Sequence, residues 1–383
     1  MNRITATLLC LVLCLAGTSL HATAFAAEPR SISAPSAPSS ATPAQVVALK
    51  TPVAPPPSIR PFPVPVTTRT VTVPASIDAT GTIDVYLALQ NLIEGVPDGT
   101  LINFPSTGIY RIDHAIVFEN RHNLIIDGNG CTLKYTSVTG TEQGYSFWYN
   151  YESASDNGSD IWIRNFVLIG SSTNPGVYTP GDSPRGGEQQ HGVVVESDRF
   201  EVSGCTISAV WGDGFYVASG ATGVWIHDNH VISAGRNGLS VISATNVVAE
   251  RNAFDTCGLV TFDVEPNNGS EPSNNIMFLN NTAGTYGNGR YFFNAVDGPG
   301  AIIDRIVVNG NTVTGGSLSA YVDSGGAVRM TRITFTNNMG KVTAADPLLY
   351  FKHIDGLTVT GNIQPLTSSG PMQITDCAEV VTS

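Results

Sequence analysis

Short runs in which apolar and polar residues alternate recur along the C-terminal half of this chain. Each run closes on an asparagine or a cysteine, and successive closing residues stand 23 to 40 positions apart. Alternation with a period of two predicts half-buried β-strands, and a motif that returns at this interval predicts a stacked solenoid. The closing residues are Cys131, Asn165, Cys205, Asn229, Asn252, Asn281, Asn311, Asn338 and Asn362.

The choice of asparagine has a physical reason. Asparagine tolerates the left-handed backbone of a sharp corner, and its amide carries donors and an acceptor, so stacked copies can bond to one another. A second short run follows in each unit, as in Gly214–Val217 and Gly238–Val241. Two or three strands per turn, stacked in register, predict an all-β fold, a parallel β-helix. The regularly spaced leucines of a leucine-rich repeat are missing.

The N-terminal part of the chain has a different composition. Residues 1–26 combine a basic start, a short apolar stretch and small residues, which is typical of a secretory signal peptide. Residues 27–76 are dense in Pro, Ala, Ser and Thr and predict an extended linker. The β-helix domain is expected over 77–383. We therefore expect a secreted, extracellular protein that does not insert into a membrane after cleavage.

The predicted domain opens with a helix. Apolar residues at helical spacing cover Val85–Glu94, Asp84 precedes them as a candidate N-cap, and Gly95 with Pro97 ends the run. The end of a solenoid exposes strand edges and core, so a capping helix is physically required there.

Charge and cysteine usage narrow the partners. The 383-residue chain has a formal net charge of −12, which argues against nucleic acid and anionic membranes as partners. Four cysteines remain after the signal peptide; Cys131 and Cys205 fall in different coils, so buried free thiols are expected. We expect a monomer.

The start of the domain is similar to that of the pectate-lyase-like superfamily of right-handed β-helix proteins. The matching segments are Ala88-Leu89-Gln90, Pro97-Asp98-Gly99-Thr100, Phe104-Pro105 and Gly108-Ile109-Tyr110. This resemblance implies the fold over nearly all of the domain. It leaves the chemistry open, because the superfamily includes polysaccharide lyases, hydrolases, epimerases and non-catalytic members.

The catalytic motifs of polygalacturonase-like hydrolases are not reproduced. Those enzymes carry Asn-Thr-Asp, paired Asp-Asp, Gly-His-Gly and Arg-Ile-Lys. Here only Gly212-Asp213-Gly214, Gln190-His191-Gly192 and Arg305-Ile306-Val307 come near, with the histidine before the aspartate. A standard polygalacturonase is therefore not expected. Trp225 and His227 belong to a generic repeat strand and are expected on a solvated face.

Aligning the second strand of successive units predicts one outward face. Phe215, Leu239 and Phe262 fall together and are expected to point inward. The predicted outward column contains Val194, Tyr216, Ser240, Asp263 and Asn294. A flanking column contains Glu196, Ala218, Ile242 and Glu265. Gln190, Gly212 and Arg236 precede the strand. The insertions at 137–158 and 171–190 would wall this face and form a cleft.

This face supplies the candidate active site for a glycan. We expect catalytic groups at Arg236, Asp263, Glu265 and Asp213 and substrate-binding groups at Tyr216, His191, Gln190, Glu196 and Asn294. In β-elimination on a uronic-acid polymer, Arg236 is the base by analogy with pectate lyases, and the carboxylates neutralise the substrate, with Ca²⁺ as a candidate cofactor.

Two other interpretations of the same residues stay open. In hydrolysis, Asp263 and Glu265 flank the scissile bond as acid and base. Alternatively the polar residues form only an exposed ion-pair network, on a glycan-binding or cell-surface protein without catalytic activity. The arginine among the acids favours the lyase slightly. An acidic protein that binds an acidic polymer without a metal is electrostatically unfavourable, which keeps the hydrolase in play.

Overall fold

The computed structural model describes residues 60–136, 147–148, 158–178, 190–325, 328–342, 349–365 and 372–383. The chain divides into two units, Met1–Ala54 and Pro55–Ser383, and every described residue belongs to the second. The predicted signal peptide therefore lies outside the described residues.

The described residues form three parallel sheets, here called A, B and C. Sheet A contains Arg69–Thr72, Thr100–Asn103, His122–Asp127, Ser159–Arg164, Asp198–Ser203, Ala221–His227, Ala244–Glu250, Ser273–Leu279, Ile303–Asn309, Met330–Thr336, Ile354–Thr360 and Val381–Thr382. Sheet B contains Thr80–Asp84, Ile109–Ile112, Thr132–Tyr135, Val167–Ile169, Thr206–Ser208, His230–Val231, Ala253–Thr256, Thr282–Thr285, Thr312–Val313 and Met339–Gly340. Sheet C contains Ile116–Val117, Phe147–Trp148, Val193–Val195, Phe215–Val217, Leu239–Val241, Phe262–Val264, Phe293–Val296, Ala320–Asp323, Leu349–Lys352 and Met372–Thr375.

Each coil of the chain contributes one strand to each sheet. In one coil, Val193–Val195 lies in sheet C, Asp198–Ser203 in sheet A and Thr206–Ser208 in sheet B. Each of these strands pairs in parallel with its equivalents in the coils before and after it. The predicted parallel β-helix is therefore confirmed, with three strands per coil.

The interior of the coils is packed with aliphatic and aromatic side chains. Phe262 shows the mode of packing: its ring is stacked on Phe278 at 4.5 Å between centroids and meets Phe254 edge-on at 5.2 Å. All three side chains are buried. Because inward residues alternate with outward ones along each strand, this core fixes which residues face away from it.

A ladder of asparagine side chains runs along the corner between sheets A and B. Each Nδ2 donates to Oδ1 of the asparagine one coil further on, at 2.9–3.0 Å. The same Oδ1 atoms accept the backbone N–H of the preceding asparagine. The second Nδ2 hydrogen goes to a strand carbonyl. The predicted bonding between stacked asparagines is confirmed over Asn229, Asn252, Asn281, Asn311, Asn338 and Asn362.

Two details of the asparagine prediction were wrong. The left-handed residue of the corner is the one before each ladder asparagine, such as Asp228 with φ 54° or Asn280 with φ 55°. Asn165, with φ 58°, occupies that preceding position, and Phe166 takes the ladder position. The reason is geometric: the turn needs the positive φ one residue earlier, so that the ladder amide points inward along the axis.

The first coil is closed by helix α1, Tyr86–Gly95, close to the predicted span. The carboxylate of Asp84 accepts the N–H of Tyr86 at 2.9 Å, and Leu89 and Ile93 turn into the core. The fold begins before residue 77, because Arg69–Thr72 in the predicted linker pairs with Thr100–Asn103 as the edge strand of sheet A.

Cysteine and membrane predictions can be compared within the described residues. Cys131, Cys205, Cys257 and Cys377 are free thiols, and the first three are buried. Burial raises the pKa of Cys131 and of Cys205 to about 12, so these thiols stay protonated. No helix in the described ranges is both long and apolar enough to span a bilayer.

Trp225 and His227 do not lie on a solvated face, as the sequence had suggested. Both are buried on the outer side of sheet A, with their rings stacked 3.7 Å apart between centroids. The cover comes from the chain segment before the first strand, which the repeat pattern does not include.

Candidate active site

One column of outward side chains runs along sheet C. The strand register aligns, coil by coil, Val194, Tyr216, Ser240, Asp263, Asn294, Tyr321, Tyr350 and Gln373. These residues alternate with buried core residues such as Phe262 and Val264, so they face away from the core. The order of the first five is the one predicted from the sequence.

A second polar column lies at the start of the same strands. His191, Asp213 and Asn237 each precede a glycine, and backbone hydrogen bonds between Gly192, Gly214 and their neighbours hold these positions in register. A Cβ at Gly192 would stand 2.6 Å from the carbonyl oxygen of Gly214, so only glycine fits where the coils meet.

Sequence reasoning missed Asn237. Its Nδ2 donates to Oδ2 of Asp263 at 3.1 Å, and its backbone N–H donates to Oδ1 of Asp213 at 2.9 Å. It therefore links two predicted catalytic acids that belong to different coils. The signal that would have found it is the shared place of His191, Asp213 and Asn237 directly before the strand glycine.

Asp263 is the most perturbed acid of the cluster. It is 3% exposed, and its Oδ1 accepts a hydrogen bond from Nδ2 of Asn294 at 2.7 Å. Burial raises the pKa of Asp263 well above its usual value, and the negative charge of Glu265 raises it further; Asn294 and the charge of Arg236 act in the opposite direction. Asp263 is therefore an acid that retains its proton to unusually high pH.

Asp213 is held between a histidine and an arginine. Its Oδ1 lies 3.8 Å from Nε of Arg236 and its Oδ2 lies 3.5 Å from Nδ1 of His191. The backbone N–H of Asp213 donates to that same Nδ1 at 2.9 Å, which requires an unprotonated Nδ1. Burial lowers the pKa of His191 to about 4, so its ring is neutral near pH 7.

Tyr216 stacks on the neutral His191 ring. The ring centroids are 4.6 Å apart and the planes differ by 21°. Burial raises the pKa of Tyr216, with a further contribution from the negative charge of Asp213, so the phenol remains protonated. Tyr216 is partly exposed and rests on the buried His191 ring, so Tyr216 offers a flat aromatic surface for a sugar ring and His191, predicted to bind substrate, supports it from below.

The cluster is more buried than a simple exposed face. Asp213 and Asp263 are buried, whereas Arg236, Glu265 and Tyr216 are partly exposed. Asp213 is buried because it also does the work of a corner residue, accepting the Asn237 N–H of the next coil. The two aspartates thus form the buried floor of the cluster, and Arg236, Glu265 and Tyr216 form its partly exposed rim.

Gln190 and Glu196 lie at the margins of the cluster. Gln190 is 7% exposed and exchanges hydrogen bonds with the Ser171 hydroxyl, with Nε2 to Oγ at 2.9 Å. Glu196 accepts a hydrogen bond from Ser219 Oγ at 3.0 Å. Gln190 is thus committed to a neighbouring loop. The predicted walls at 137–158 and 171–190 lie largely outside the described residues.

The described residues of the cluster are not grouped as the calcium site considered from the sequence would require. Among the described side chains, no three His, Cys, Asp or Glu residues are grouped so that they could hold a metal ion. The acids of sheet C are instead separated by amides, since Asn237 lies between Asp213 and Asp263 and Asn294 follows Asp263.

A stack of tyrosines continues the outward column beyond Asn294. Tyr321 and Tyr350 are stacked at 5.0 Å with planes 7° apart, and Tyr291 stacks on Tyr321 at 5.3 Å. All three are partly exposed. Burial raises the pKa of Tyr321 to about 12, and the charge of Asp323 contributes, so its hydroxyl stays a hydrogen-bond donor.

A family model matches this chain over residues 72–288, more than half of its length; its description is rhamnogalacturonase A/epimerase, pectate lyase-like. The chain belongs to this family. The resemblance read from the opening of the domain is thereby confirmed, and the family is a polysaccharide-active group of parallel β-helix proteins. No curated protein matches the sequence significantly.

Several solved structures have a fold similar to that of this chain. The surface adhesin PfbA of Streptococcus pneumoniae aligns with a TM-score of 0.56 at 12% identity, over 80% of this chain and 81% of its own. The family 28 exopolygalacturonase of Yersinia enterocolitica aligns at 0.55 and 13%, over 82% and 78%. The hyperthermoactive exopolygalacturonase of Thermotoga maritima aligns at 0.52 and 14%, over 84% and 93%. At these identities the likeness concerns the fold alone.

Proposed function

We propose that this protein is a polysaccharide-cleaving enzyme whose active site is the polar cluster on sheet C, and that Asp263 is its general acid. The observation that supports this most is the pairing of a buried, outward-facing Asp263 of raised pKa with the partly exposed Glu265. A buried carboxyl group of raised pKa beside a second, more exposed carboxyl group is an arrangement that suits acid and base roles.

Hydrolysis of a glycosidic bond uses these groups directly. Protonated Asp263 donates its proton to the leaving oxygen, and Glu265 accepts a proton from the attacking water. Glu265 follows Asp263 by two positions, directly after the strand Phe262–Val264, so the two side chains leave the extended backbone on the same side. Inverting enzymes hold their two carboxyl groups about 6.5–9.5 Å apart, which leaves room for the attacking water.

Arg236 points to an acidic sugar. Its guanidinium lies at the rim with a 20% exposed side chain, beside the buried Asp213. A fork of N–H donors in this place suits the carboxylate of a uronic acid and would offset repulsion from the surrounding acids. The polymer we propose as substrate therefore contains uronic acid residues.

Lyase action remains the second candidate, and Arg236 is the observation that favours it. As a base, Arg236 would remove the ring proton next to the uronate carboxylate. An arginine guanidinium is not deprotonated in proteins, and Arg236 also lies 3.8 Å from the carboxylate of Asp213, which opposes that role. For this reason we place hydrolysis first.

A glycan-binding protein without catalysis is the third possibility. The tyrosine stack favours it, because Tyr291, Tyr321 and Tyr350 offer aromatic edges and hydroxyls but no reactive group. In the enzyme the same residues would bind the polymer beyond the site of cleavage. One sugar ring is comparable in length to the spacing of about 4.8 Å between coils.

A single assay separates these functions. Purified protein, secreted or refolded, is incubated with a panel of uronic-acid and neutral polysaccharides, with calcium or with chelator. New reducing ends without an unsaturated uronate indicate hydrolysis, and ultraviolet absorbance of the unsaturated product indicates a lyase. Binding to a polysaccharide in affinity electrophoresis without any product would contradict the proposed enzyme.

A further inference from the structure

The outer side of sheet A carries a second cluster of side chains, on a different sheet from the acids of sheet C. Trp162, Glu201 and Trp225 are aligned in three successive strands and face away from the core. Glu201 is nevertheless 0% exposed. We call these three residues, together with His227, the indole–carboxylate socket.

The socket holds one cation from the start of the domain. The guanidinium of Arg60 is paired with both carboxylate oxygens of Glu201, with Nη1 at 3.2 Å from Oε1. Its Cζ lies 4.9 Å from the ring centroid of Trp162 and 5.2 Å from that of Trp225. The cation is therefore gripped by a fork-shaped ion pair and two indole rings.

The walls of the socket are fixed by contacts that do not involve Arg60. Nε1 of Trp162 donates to Ser203 Oγ at 2.8 Å, and Nε1 of Trp225 donates to Glu250 Oε1 at 2.8 Å. His227 stacks on Trp225, and its Nε2 lies 3.0 Å from Glu201 Oε1. The rings and the carboxylate are thus positioned by contacts that are independent of Arg60.

The chemistry of the socket selects a planar cation. A buried carboxylate is strongly unfavourable unless a positive group pairs with it. A guanidinium satisfies both oxygens with two parallel N–H bonds and lies flat against aromatic faces, whereas an ammonium group does neither as well. The side chains present therefore match arginine better than lysine.

The segment after Arg60 lies along the outside of the solenoid. Phe62 is 9% exposed, the N–H of Val66 donates to the side chain of Asn123 at 3.1 Å, and the N–H of Thr68 donates to the Gly99 carbonyl at 2.8 Å. The segment thus crosses from the strands of Glu201 and Trp225 to the edge strand of sheet A. Backbone contacts hold its far end, and Arg60 holds its near end.

We propose that the indole–carboxylate socket is a guanidinium-binding site, filled in cis by Arg60, which fastens residues 60–68 to sheet A as a releasable latch. Its preformed walls make it competent to bind a free guanidinium group when the latch is open. The site stands on a different sheet from the acids and does not depend on the proposed activity.

The test is chemical rescue of Arg60→Ala, with Arg69→Ala as the matched control, since Arg69 is an exposed arginine directly after this segment. Thermal unfolding is followed while low concentrations of guanidinium chloride or, at equal ionic strength, sodium chloride are added. Arg60→Ala should melt several degrees below the wild type, and guanidinium should restore part of that loss. Sodium, and guanidinium on wild type or Arg69→Ala, should not raise Tm.

Two further variants make the outcome decisive. Glu201→Gln combined with Arg60→Ala should abolish the rescue, and Arg60→Lys should recover less Tm than wild type because it lacks the fork. Equal melting of Arg60→Ala and Arg69→Ala, or no specific guanidinium effect, overturns the proposal. If Arg60→Ala does not fold, the titration is made on Arg60→Lys: a guanidinium-specific rise in Tm supports the site, and its absence overturns it.

Discussion

The asparagine ladder and the acid cluster of sheet C are both buried polar rows along the same solenoid, yet they are built in opposite ways. In the ladder each amide repeats its neighbour, and donors and acceptors match at every step. In the acid cluster unlike groups follow one another, and Asp263 is buried beside a second carboxylate. A row of identical, fully hydrogen-bonded amides stabilises the fold, whereas buried ionisable groups with perturbed pKa values are typical of functional sites.

The largest expected effect comes from removing the proton of Asp263. Asp263→Asn keeps the shape and one of the two acceptor oxygens but has no acidic proton to transfer, so kcat should fall by about 10²–10⁴-fold. Initial rates on the substrate found in the polysaccharide panel measure this. Asp304→Asn, at an outward aspartate of sheet A paired with Arg332, is the control and should keep full activity. Unchanged turnover in Asp263→Asn would remove the proposed acid.

A break in the ladder should affect stability and spare activity. In Asn281→Ala, the backbone N–H and Nδ2 of Asn252 lose their acceptor and the Ala249 carbonyl loses its donor. We expect a loss of about 3 kcal/mol in the free energy of unfolding. Denaturant unfolding measures it, with Asn309→Ala, which loses hydrogen bonds to Thr336 and Asn337 outside the ladder, as control. A loss no larger than that of the control would show that the ladder contributes little.

Low pH should lower the stability of the folded protein through protonation of His191. Because the folded-state pKa is lowered from 6.5 to about 4, the neutral ring contributes stability that is fully present above pH 6.5 and is lost as pH falls toward 4. The linkage is on the order of 3 kcal/mol. His191→Gln, which keeps an acceptor, should flatten Tm across this interval, and His230→Gln on sheet B should not. An identical pH profile in wild type and His191→Gln contradicts this.

The titration of Asp263 changes stability with pH in the opposite direction to that of His191. Its raised pKa means that the protonated folded form is favoured, so its contribution is greatest below the unfolded pKa of 3.8 and is lost as pH rises through the folded pKa. Asp263→Asn should therefore match or exceed the stability of the wild type at neutral pH. The advantage should shrink toward acidic pH in paired thermal scans. A variant less stable than wild type at neutral pH would indicate that Asp263 is an ordinary structural acceptor.

The smallest expected effect is at the tyrosine stack. Tyr350→Ala removes one ring and one face of the stack with Tyr321, so KM for long polymers should rise by about 5–10-fold with kcat unchanged, equivalent to roughly 1–1.4 kcal/mol. Kinetics on polymer and on short oligomers of the same sugar make the comparison. Equal changes in KM for both lengths would place the stack outside the path of the polymer.

The sequence carried the fold because its information is periodic. The alternation of Phe262 and Asp263 along a strand, and the return of an asparagine in each coil, are set by strand geometry that repeats. The same periodicity predicted which residues share the column of Tyr216 and Asp263. Roles within the column were not predictable, since the burial of Asp213 and the bridge made by Asn237 depend on contacts between coils and on loops.

The latch was beyond the reach of repeat reasoning for a related reason. Arg60 precedes the first coil, and nothing in its local sequence indicates that it meets Glu201, 141 residues away in the chain. Arg60 also lies 5.2 Å from the Trp225 ring centroid, so part of the cover over Trp225 comes from the same segment. The periodic pattern likewise did not predict the corner shift at Asn165 or the early start of sheet A at Arg69. Both lie in parts of the chain that depart from the repeat.

The most direct measurement is to determine turnover and thermal unfolding on the same preparations of Asp263→Asn and Asn281→Ala. We expect opposite results for the two variants. Asp263→Asn should lose turnover and keep its melting temperature. Asn281→Ala should have a lower melting temperature and retain turnover per folded molecule. Loss of stability in Asp263→Asn together with undiminished turnover would show that the buried acid of sheet C is a structural group.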